Sequence, residues 1–369
     1  MCGIAGMWAP GISADTELQC RMQAALYHRG PDSFGTWLSQ DEAVCLLHTR
    51  LAIVDLSSQG HQPMASSSGD HVITFNGEIY NHLDIRRRLG VHVAWRGHSD
   101  TETILAAIEA WGLERTLSEL VGMFAFALWD RRSASLTLAR DRLGEKPLYV
   151  AQTGQGIYFA SELKALRACP GIDLRLDPDA LTSYFQLGYV GAPKSIYRGV
   201  SKLLPGSCVV FPHWTQSPES VHYWSPPKPA LDTRLNDSEC IDLTESSLRA
   251  AVSQQLLSDV PLGAFLSGGI DSSLIVALMT QVASSKVRTF SMGVADAGED
   301  ESQYAKAIAA HLGAEHVELI ATADDIISMV PQVALTYDEP FADSSQVPSM
   351  LLSKGPRCAT LMKNSHSHM

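Results

Sequence analysis

The sequence predicts two domains of different class. The first is a layered α+β domain built largely from antiparallel sheet; the second is an α/β domain with a doubly wound parallel sheet. Three observations carry this. Short β-type runs follow one another from about residue 43 to 162 with little helix between them. A proline-rich break, YWSPPKPALDTRLND, follows at 223–237. Beyond it helical and strand patterns alternate, the order that builds a parallel sheet.

Taken in order, residues 15–27 read as a helix with Leu18, Met22, Ala25 and Leu26 on one face, stopped by the HRGPD turn at 28–32. The strand runs are AVCLLH, LAIVD, HVITF, GMFAFALWD, SLTLARD, LYVAQ and GIYFASE. Asn76–Gly77 and Arg131–Ala134 read as hairpin or strand-end turns. A helix is expected over 101–112, with Ile104, Leu105, Ile108 and Trp111 on its apolar face. LLPGSCVVF closes the β-rich part, which sets the first domain at 1–212, a linker at 213–237 and the second domain at 238–369. The second domain opens with a helix near 238–256 and the strand VPLGAFL at 260–266. A glycine-rich turn leads into the helix SSLIVALMTQVA, then the strand RTFSMGV. The helix SQYAKAIAAHLG aligns Tyr304, Ile308 and Leu312; the strand EHVELI and a helix around 324–337 complete the series.

Composition removes several classes of function. Among 369 residues, 28 are Lys or Arg and 40 are Asp or Glu, for a net charge of −12. No basic tract offsets that charge, so a nucleic-acid partner is not expected. The seven cysteines (2, 20, 45, 169, 208, 240 and 358) include no CxxC pair, which suggests neither a zinc site nor a disulfide framework. No apolar run approaches the roughly 18 residues of a membrane helix, and no basic leader is evident, so a cytoplasmic setting is expected.

Two stretches carry chemistry. Cys2 follows Met1 directly, and removal of that methionine would leave it with both a thiol and a free α-amine. A thiol of ordinary pKa about 8.5 needs a base at neutral pH, and an α-amine of pKa about 7.7–8.0 can serve. Three segments are candidates to work with it. The Asn76 amide and the Gly77 N–H suit an oxyanion hole, although NG is also an ordinary turn. Arg50 suits a substrate carboxylate. Asp100 suits a substrate ammonium, although Ser99-x-x-Glu102 is also a capping box for the helix that follows. The second stretch is FLSGGIDSS at 265–273, between a strand and a helix. Gly268 and Gly269 let backbone N–H groups approach a phosphate, and the helix start adds its dipole. Ser267, Ser272 and Ser273 add hydroxyls, and Asp271 is a candidate to hold Mg²⁺ on the phosphates. The stretch lacks the lysine of GxxxxGK[ST] and the spacing of GxGxxG.

MCGIAG, HRGPD, RLAIVD, FNGEIYN, HSDTE, GMFAFALWD, RDRLGEKPLY and SELKAL stand in the order seen in class II, N-terminal-nucleophile glutamine amidotransferases. SGGIDSS resembles the pyrophosphate loop of the ATP-pyrophosphatase fold. Together, from Met1 to about Lys354, they resemble the glutamine-hydrolysing asparagine synthetases. The resemblance implies an αββα sandwich for the first domain and an incomplete synthetase domain for the second. It implies that Cys2 attacks the side-chain amide of glutamine while Asn76 and Gly77 hold the oxyanion. Arg50 would bind the α-carboxylate of glutamine and Glu78 and Asp100 its α-amino end, with Leu51, Ile53 and Val54 also among the glutamine-binding residues. Ammonia would then pass to a site where ATP, held by Leu266, Ser267, Gly268, Gly269, Asp271, Ser272 and Met292, adenylates aspartate or a related acceptor. Asparagine, AMP and pyrophosphate would follow. ATP and Mg²⁺ are the expected cofactors and glutamine and the acceptor the expected partners, with oligomeric state open and a homodimer as one expectation. After DEPFADSSQVP the family continues into a second glycine- and acid-rich loop, whereas residues 354–369 here read as an aberrant end. Impaired synthetase chemistry is therefore expected. Amination of another acceptor, or a glutaminase-only or non-catalytic fragment, are the alternatives.

Overall fold

A computed structural model describes residues 2–41, 43–229, 235–295 and 302–354; the expectations for 355–369 lie outside the described residues. The chain divides into two compact units, 1–228 with 338–341, and 229–337 with 342–369.

The first unit begins with β1 (Gly3–Trp8), α1 (Thr16–Ala25), β2 (Ser33–Leu38), β3 (Val44–Arg50), β4 (Met64–Ala65) and β5 (His71–Ile79). Three helices follow, α2 (His82–Leu89), α3 (Asp100–Trp111) and α4 (Leu113–Glu119). Next come β6 (Gly122–Asp130), β7 (Ser135–Arg140), β8 (Tyr149–Thr153), β9 (Gly156–Ala160), α5 (Leu163–Leu166) and α6 (Pro178–Leu187). β10 (Ser201–Lys202), β11 (Ser207–Phe211) and β12 (Glu219–His222) end the unit. Two six-stranded sheets form, ordered β10-β8-β9-β1-β3-β2 and β12-β11-β7-β6-β5-β4. Every pairing between their strands is antiparallel.

Side-chain alternation explains the layering. Along β1, Ala5 and Met7 pack with Leu18 and Met22 of α1, while Ile4 and Trp8 pack with Val72, Ala127 and Trp129 of the other sheet. Phe75, Phe124 and Phe126 turn outward from that second sheet onto Ile85, Ile104, Ile108 and Leu117 of α2, α3 and α4. The result is helix, sheet, sheet, helix, with both faces of each sheet buried.

Four features differ from expectation. LAIVD is a loop rather than a strand, and Asn76–Gly77 lie inside β5 rather than in a turn. β12 pairs with β11, within the stretch expected as linker, so the first unit runs on to Lys228. The short helices α2, α4 and α6 have no counterpart in the periodicity reading.

The second unit holds α7 (Asp237–Gln255), β13 (Gly263–Phe265), α8 (Ile270–Val282), β14 (Arg288–Val294), α9 (Ser302–His311), β15 (Glu315–Ala321) and α10 (Ala323–Thr336). Its strands are parallel and lie in sequence order, β13-β14-β15, as in one half of a doubly wound sheet. The buried face of α9 is Ala305 and Ala309 with Ile308 and Leu312 beside them; Tyr304, expected there, is 69% exposed.

Candidate active site

Cys2 stands at the start of β1, where its neighbours leave little freedom. Gly3 N donates to Thr49 Oγ1 at 3.1 Å and Ile4 N to Ser161 Oγ at 3.0 Å. Arg29 Nε donates to the Cys2 carbonyl at 2.9 Å. Leu51 N donates to the Cys2 sulfur at 3.4 Å. Burial pushes the thiol pKa up, and the Leu51 N–H opposes that. A thiol so placed needs a base to become a nucleophile.

One pocket surrounds it. Arg50 enters from the end of β3 and Leu51, Ile53 and Val54 from the loop after it, Asn76, Gly77 and Glu78 from β5, and Asp100 from the first turn of α3. The loop after β3 departs from strand geometry because its own polar groups bend it. Arg50 donates to the carbonyls of Ser57, at 3.1 Å, and Asp55. Asp55 takes a left-handed φ of 55°, and its buried carboxylate accepts from Ser57 N at 3.1 Å and His98 N at 2.9 Å. Gly60 makes room for the guanidinium, since a Cβ there would lie 2.2 Å from Arg50 Nη2. Carbonyls fix the Arg50 head but leave its positive charge for a carboxylate.

β5 aims the next two groups. Phe75 N donates to Gln62 Oε1 at 2.7 Å and Ile79 N to Asp100 Oδ2 at 2.9 Å, so both point away from β6. Gly77 has the same parity, and its N–H points to the same side, into the pocket. Phe124, which faces Gly77 across the ladder, agrees: its N–H and C=O bond Asp141, at 3.1 and 2.8 Å, and not β5. Asn76 is buried, and among the described residues neither its Oδ1 nor its Nδ2 has a hydrogen-bond partner. A turn reading of NG would leave both facts without a reason.

Asp100 lies beside Glu78. Burial pushes the Asp100 carboxyl up to about 6, helped by the Glu78 charge and opposed by the N–H groups of Ile79 and Thr101. Burial raises Glu78 as well, with Lys146 opposing. Two crowded carboxyls of this kind suit a cationic ligand. The capping box expected at Ser99 is half formed: Ser99 Oγ accepts from Glu102 N at 3.3 Å. The Glu102 carboxylate instead accepts from Arg96 N at 2.8 Å and Gly97 N at 3.1 Å.

Sequence reasoning missed Gln62, Met123 and Lys146, which also line the pocket. Lys146 is buried, which pulls its pKa down against the pull of Glu78. Its turn, in the stretch RDRLGEKPLY, is set by the Asp141 carboxylate, which accepts from the N–H groups of Leu143, Glu145 and Lys146 at 3.1, 2.9 and 3.0 Å. The sequence carried no mark of the lysine's inward aim.

In the second unit, FLSGGIDSS forms the expected strand–turn–helix. Leu266 is buried and its N–H donates to Phe290 O at 2.8 Å on β14, the strand that also carries Met292. Gly268 has a left-handed φ of 83°, and Gly269 caps α8 without a side chain. α7 and α10 both carry side-chain capping boxes, whereas the start of α8 has no side-chain cap. Ser267 Oγ and Ser272 Oγ lie 3.0 Å apart across the turn; Ser267 is exposed, Ser272 half-buried, and Asp271 on the first turn of α8 exposed. Uncapped N–H groups, serine hydroxyls and a lone carboxylate fit a polyphosphate with its magnesium. Among the described residues no three His, Cys, Asp or Glu side chains converge on a metal site, and no helix is long and apolar enough to cross a membrane.

Comparison with known proteins agrees with this division. A glutamine amidotransferase domain model matches residues 1–224 and an asparagine synthase model residues 243–359. A protein of Methanocaldococcus jannaschii, provisionally named asparagine synthetase (glutamine-hydrolysing) 2, is 34% identical over 97% of this chain and 72% of its own. Asparagine synthetase (glutamine-hydrolysing) 1 of Bacillus subtilis is 33% identical over 96% of this chain, and asparagine synthetase B of Escherichia coli 32% identical over 92%. The chain spans little more than half the length of those two relatives, 55% and 58%. With both domain models matched in order, the chain belongs to the glutamine-hydrolysing asparagine synthetase family.

Proposed function

We propose that the first unit hydrolyses glutamine at Cys2, and that the ammonia released aminates an ATP-activated carboxylate, aspartate foremost, to give asparagine, AMP and pyrophosphate. The observation that carries this reading is the pair of donors beside the thiol. Asn76 Nδ2 is buried with no partner among the described residues, and the Gly77 N–H faces the same pocket. A buried amide left unpaired costs about 1–3 kcal/mol, which a substrate oxyanion would recover.

In this reading the α-amine of Cys2, freed by removal of Met1, takes the thiol proton. The sulfur attacks the side-chain amide carbon, and the carbonyl electron pair moves to an oxygen held by Asn76 and Gly77. Collapse breaks the C–N bond, and the ammonium of Cys2 returns its proton to the departing ammonia. Water then cleaves the thioester to glutamate and restores the thiol. Arg50 holds the α-carboxylate throughout, and Glu78 and Asp100 hold the α-ammonium. In the second unit Ser267, Gly268, Gly269 and Ser272 would hold the phosphates of ATP, with Leu266 and Met292 lining its site, and Asp271 would hold Mg²⁺; ATP would supply the activating group. A homodimer and a cytoplasmic setting go with the same reading.

The test uses the full chain. Glutamate release from glutamine is measured for wild type and Cys2→Ala, then pyrophosphate and asparagine with ATP, Mg²⁺ and aspartate, supplied with glutamine or ammonia. Cys2→Ala is expected to abolish glutamate release. Retained release would overturn Cys2 as the nucleophile, and pyrophosphate with a different carboxylate alone would reassign the acceptor.

A further inference from the structure

Four residues of the first unit come from far down the chain. Asp338–Phe341 follow α10 and join 1–228, although the residues on either side belong to the second unit. They are held by charge. Glu339 accepts from Ile196 N at 2.7 Å and Tyr149 Oη at 3.1 Å, and pairs with Lys202 Nζ at 2.5 Å. Asp338 accepts from Lys164 N at 3.0 Å and pairs with Lys164 Nζ at 3.5 Å.

From Lys164 the charges continue to the nucleophile. Lys164 Nζ lies 2.9 Å from Glu162 Oε2, and Arg29 Nη1 donates to Glu162 Oε1 at 2.7 Å. The same guanidinium donates through Nε to the carbonyl of Cys2. His28 Nε2 flanks Glu162 at 3.0 Å. The side chains of Arg29, Glu162, Lys164 and Asp338 are all at least four-fifths buried, where alternating charges hold one another in place. Of these residues, none lines the glutamine pocket.

We infer that Asp338 is a positioning residue of the glutaminase site, acting through Lys164, Glu162 and Arg29 to hold the backbone of Cys2 in line with Asn76 and Gly77. The inference rests on the glutaminase reading above. Its consequence is that glutamine hydrolysis depends on a segment outside 1–228. Lys164 Nζ already bridges Glu162 Oε2, at 2.9 Å, and Asp338, at 3.5 Å, so removing the Asp338 charge makes the ammonium draw harder on Glu162 and shifts that carboxylate relative to Arg29. Small displacements of a reacting group are costly: a shift of about 1 Å can lower a rate on the order of 10²-fold.

The experiment compares the full chain with Asp338→Asn, Asp338→Glu, Glu162→Gln and the Asp338→Asn/Glu162→Gln double variant. Two readouts are taken: glutaminase kcat and KM, and the rate of iodoacetamide alkylation at Cys2, resolved from Cys20 by peptide mass spectrometry. Asp338→Asn is expected to lower kcat about tenfold with KM within about twofold, because Arg50, Glu78 and Asp100 are untouched. Asp338→Glu is expected to restore most of the loss, and the double variant to fall no further than Glu162→Gln alone, as members of one chain do. Alkylation at Cys2 is expected to change by a few fold while Cys20 stays constant. Unchanged kcat and Cys2 alkylation in Asp338→Asn would overturn the proposal, as would a parallel loss of kcat and melting temperature that Asp338→Glu does not rescue. If wild type fails to hydrolyse glutamine, the glutaminase reading falls, and the alkylation rates still decide the link between Asp338 and Cys2.

Discussion

At the scale of single residues, the proposed chemistry separates groups that would act in the transition state from groups that would bind. Asn76 lines the pocket with its amide unpartnered among the described residues, which in the proposed reading leaves it for the oxyanion. Asn76→Ala is expected to cost about 10²–10³ in kcat with little change in KM. Arg50→Ala is expected to act mainly on KM, and steady-state kinetics with glutamine distinguishes the two. Asp100 adds a pH dependence. Its carboxyl, pushed up to about 6 by burial, is neutral below that pH and offers nothing to an α-ammonium. Glutaminase kcat/KM is therefore expected to rise through about pH 6, and Asp100→Asn to remove that limb while raising KM. The stability effect has the opposite sign. A carboxyl whose folded pKa is raised contributes stability below its unfolded value, near 3.9, and loses it as pH rises through about 6. Asp100→Asn is thus expected to stabilise the unliganded protein at pH 8 more than at pH 4, as thermal melting at the two pH values will show.

At the scale of elements, what was legible depended on whether the signal was local. Long runs with one period, such as β6 or α3, fall where the sequence puts them because their apolar faces leave little choice. Asn76–Gly77 misled because NG is a strong turn pair, yet Ala125 and Phe124 of β6 pair opposite it and override that preference. LAIVD has strand composition, but Arg50 and Asp55 hold it as a pocket wall, and both partners become evident only in three dimensions. Cys2, Arg50, Asn76, Gly77 and Asp100 were readable as candidates because each carries distinctive chemistry, and Leu51, Ile53, Val54 and Glu78 came only with the family resemblance; Gln62, Met123, Lys146 and Asp338 were not readable, since such residues have no local mark of their aim. The β5 assignment makes its own prediction. A Cβ at Gly77 would lie 2.2 Å from Met123 O and 2.7 Å from Phe124 Cα, backbone atoms that cannot swing aside. Gly77→Ala is expected to destabilise the protein by about 1–3 kcal/mol as well as inactivate it. At Gly154 nothing lies within 4 Å, so Gly154→Ala is the control, expected within about 0.5 kcal/mol of wild type by denaturant titration.

At the scale of the whole molecule, the two units differ in what holds them together. The first has three apolar clusters, one between its sheets and one under each helical layer. Among the described residues the second has one small cluster, around Val252, Val276, Leu278 and Ala305, and leaves Ile270 87% and Leu335 69% exposed. Hydrophobic stabilisation scales with the apolar area removed from water, so the second unit is expected to melt first, giving two calorimetric transitions. Nucleotide then tells the units apart. A ligand that binds the native state at a hundredfold excess over Kd adds about 2.7 kcal/mol. For a domain of about 100 residues that is a rise on the order of 10 °C. ATP with Mg²⁺ is expected to raise the lower transition and leave the upper one in place, while a non-hydrolysable glutamine analogue is expected to raise the upper one. Gly268→Ala, which forces a Cβ onto a left-handed φ of 83° in the phosphate turn, is expected to abolish the response to ATP. A lower transition that ignores ATP would remove nucleotide from the 267–273 loop, and an upper transition that follows ATP would place it in the wrong unit.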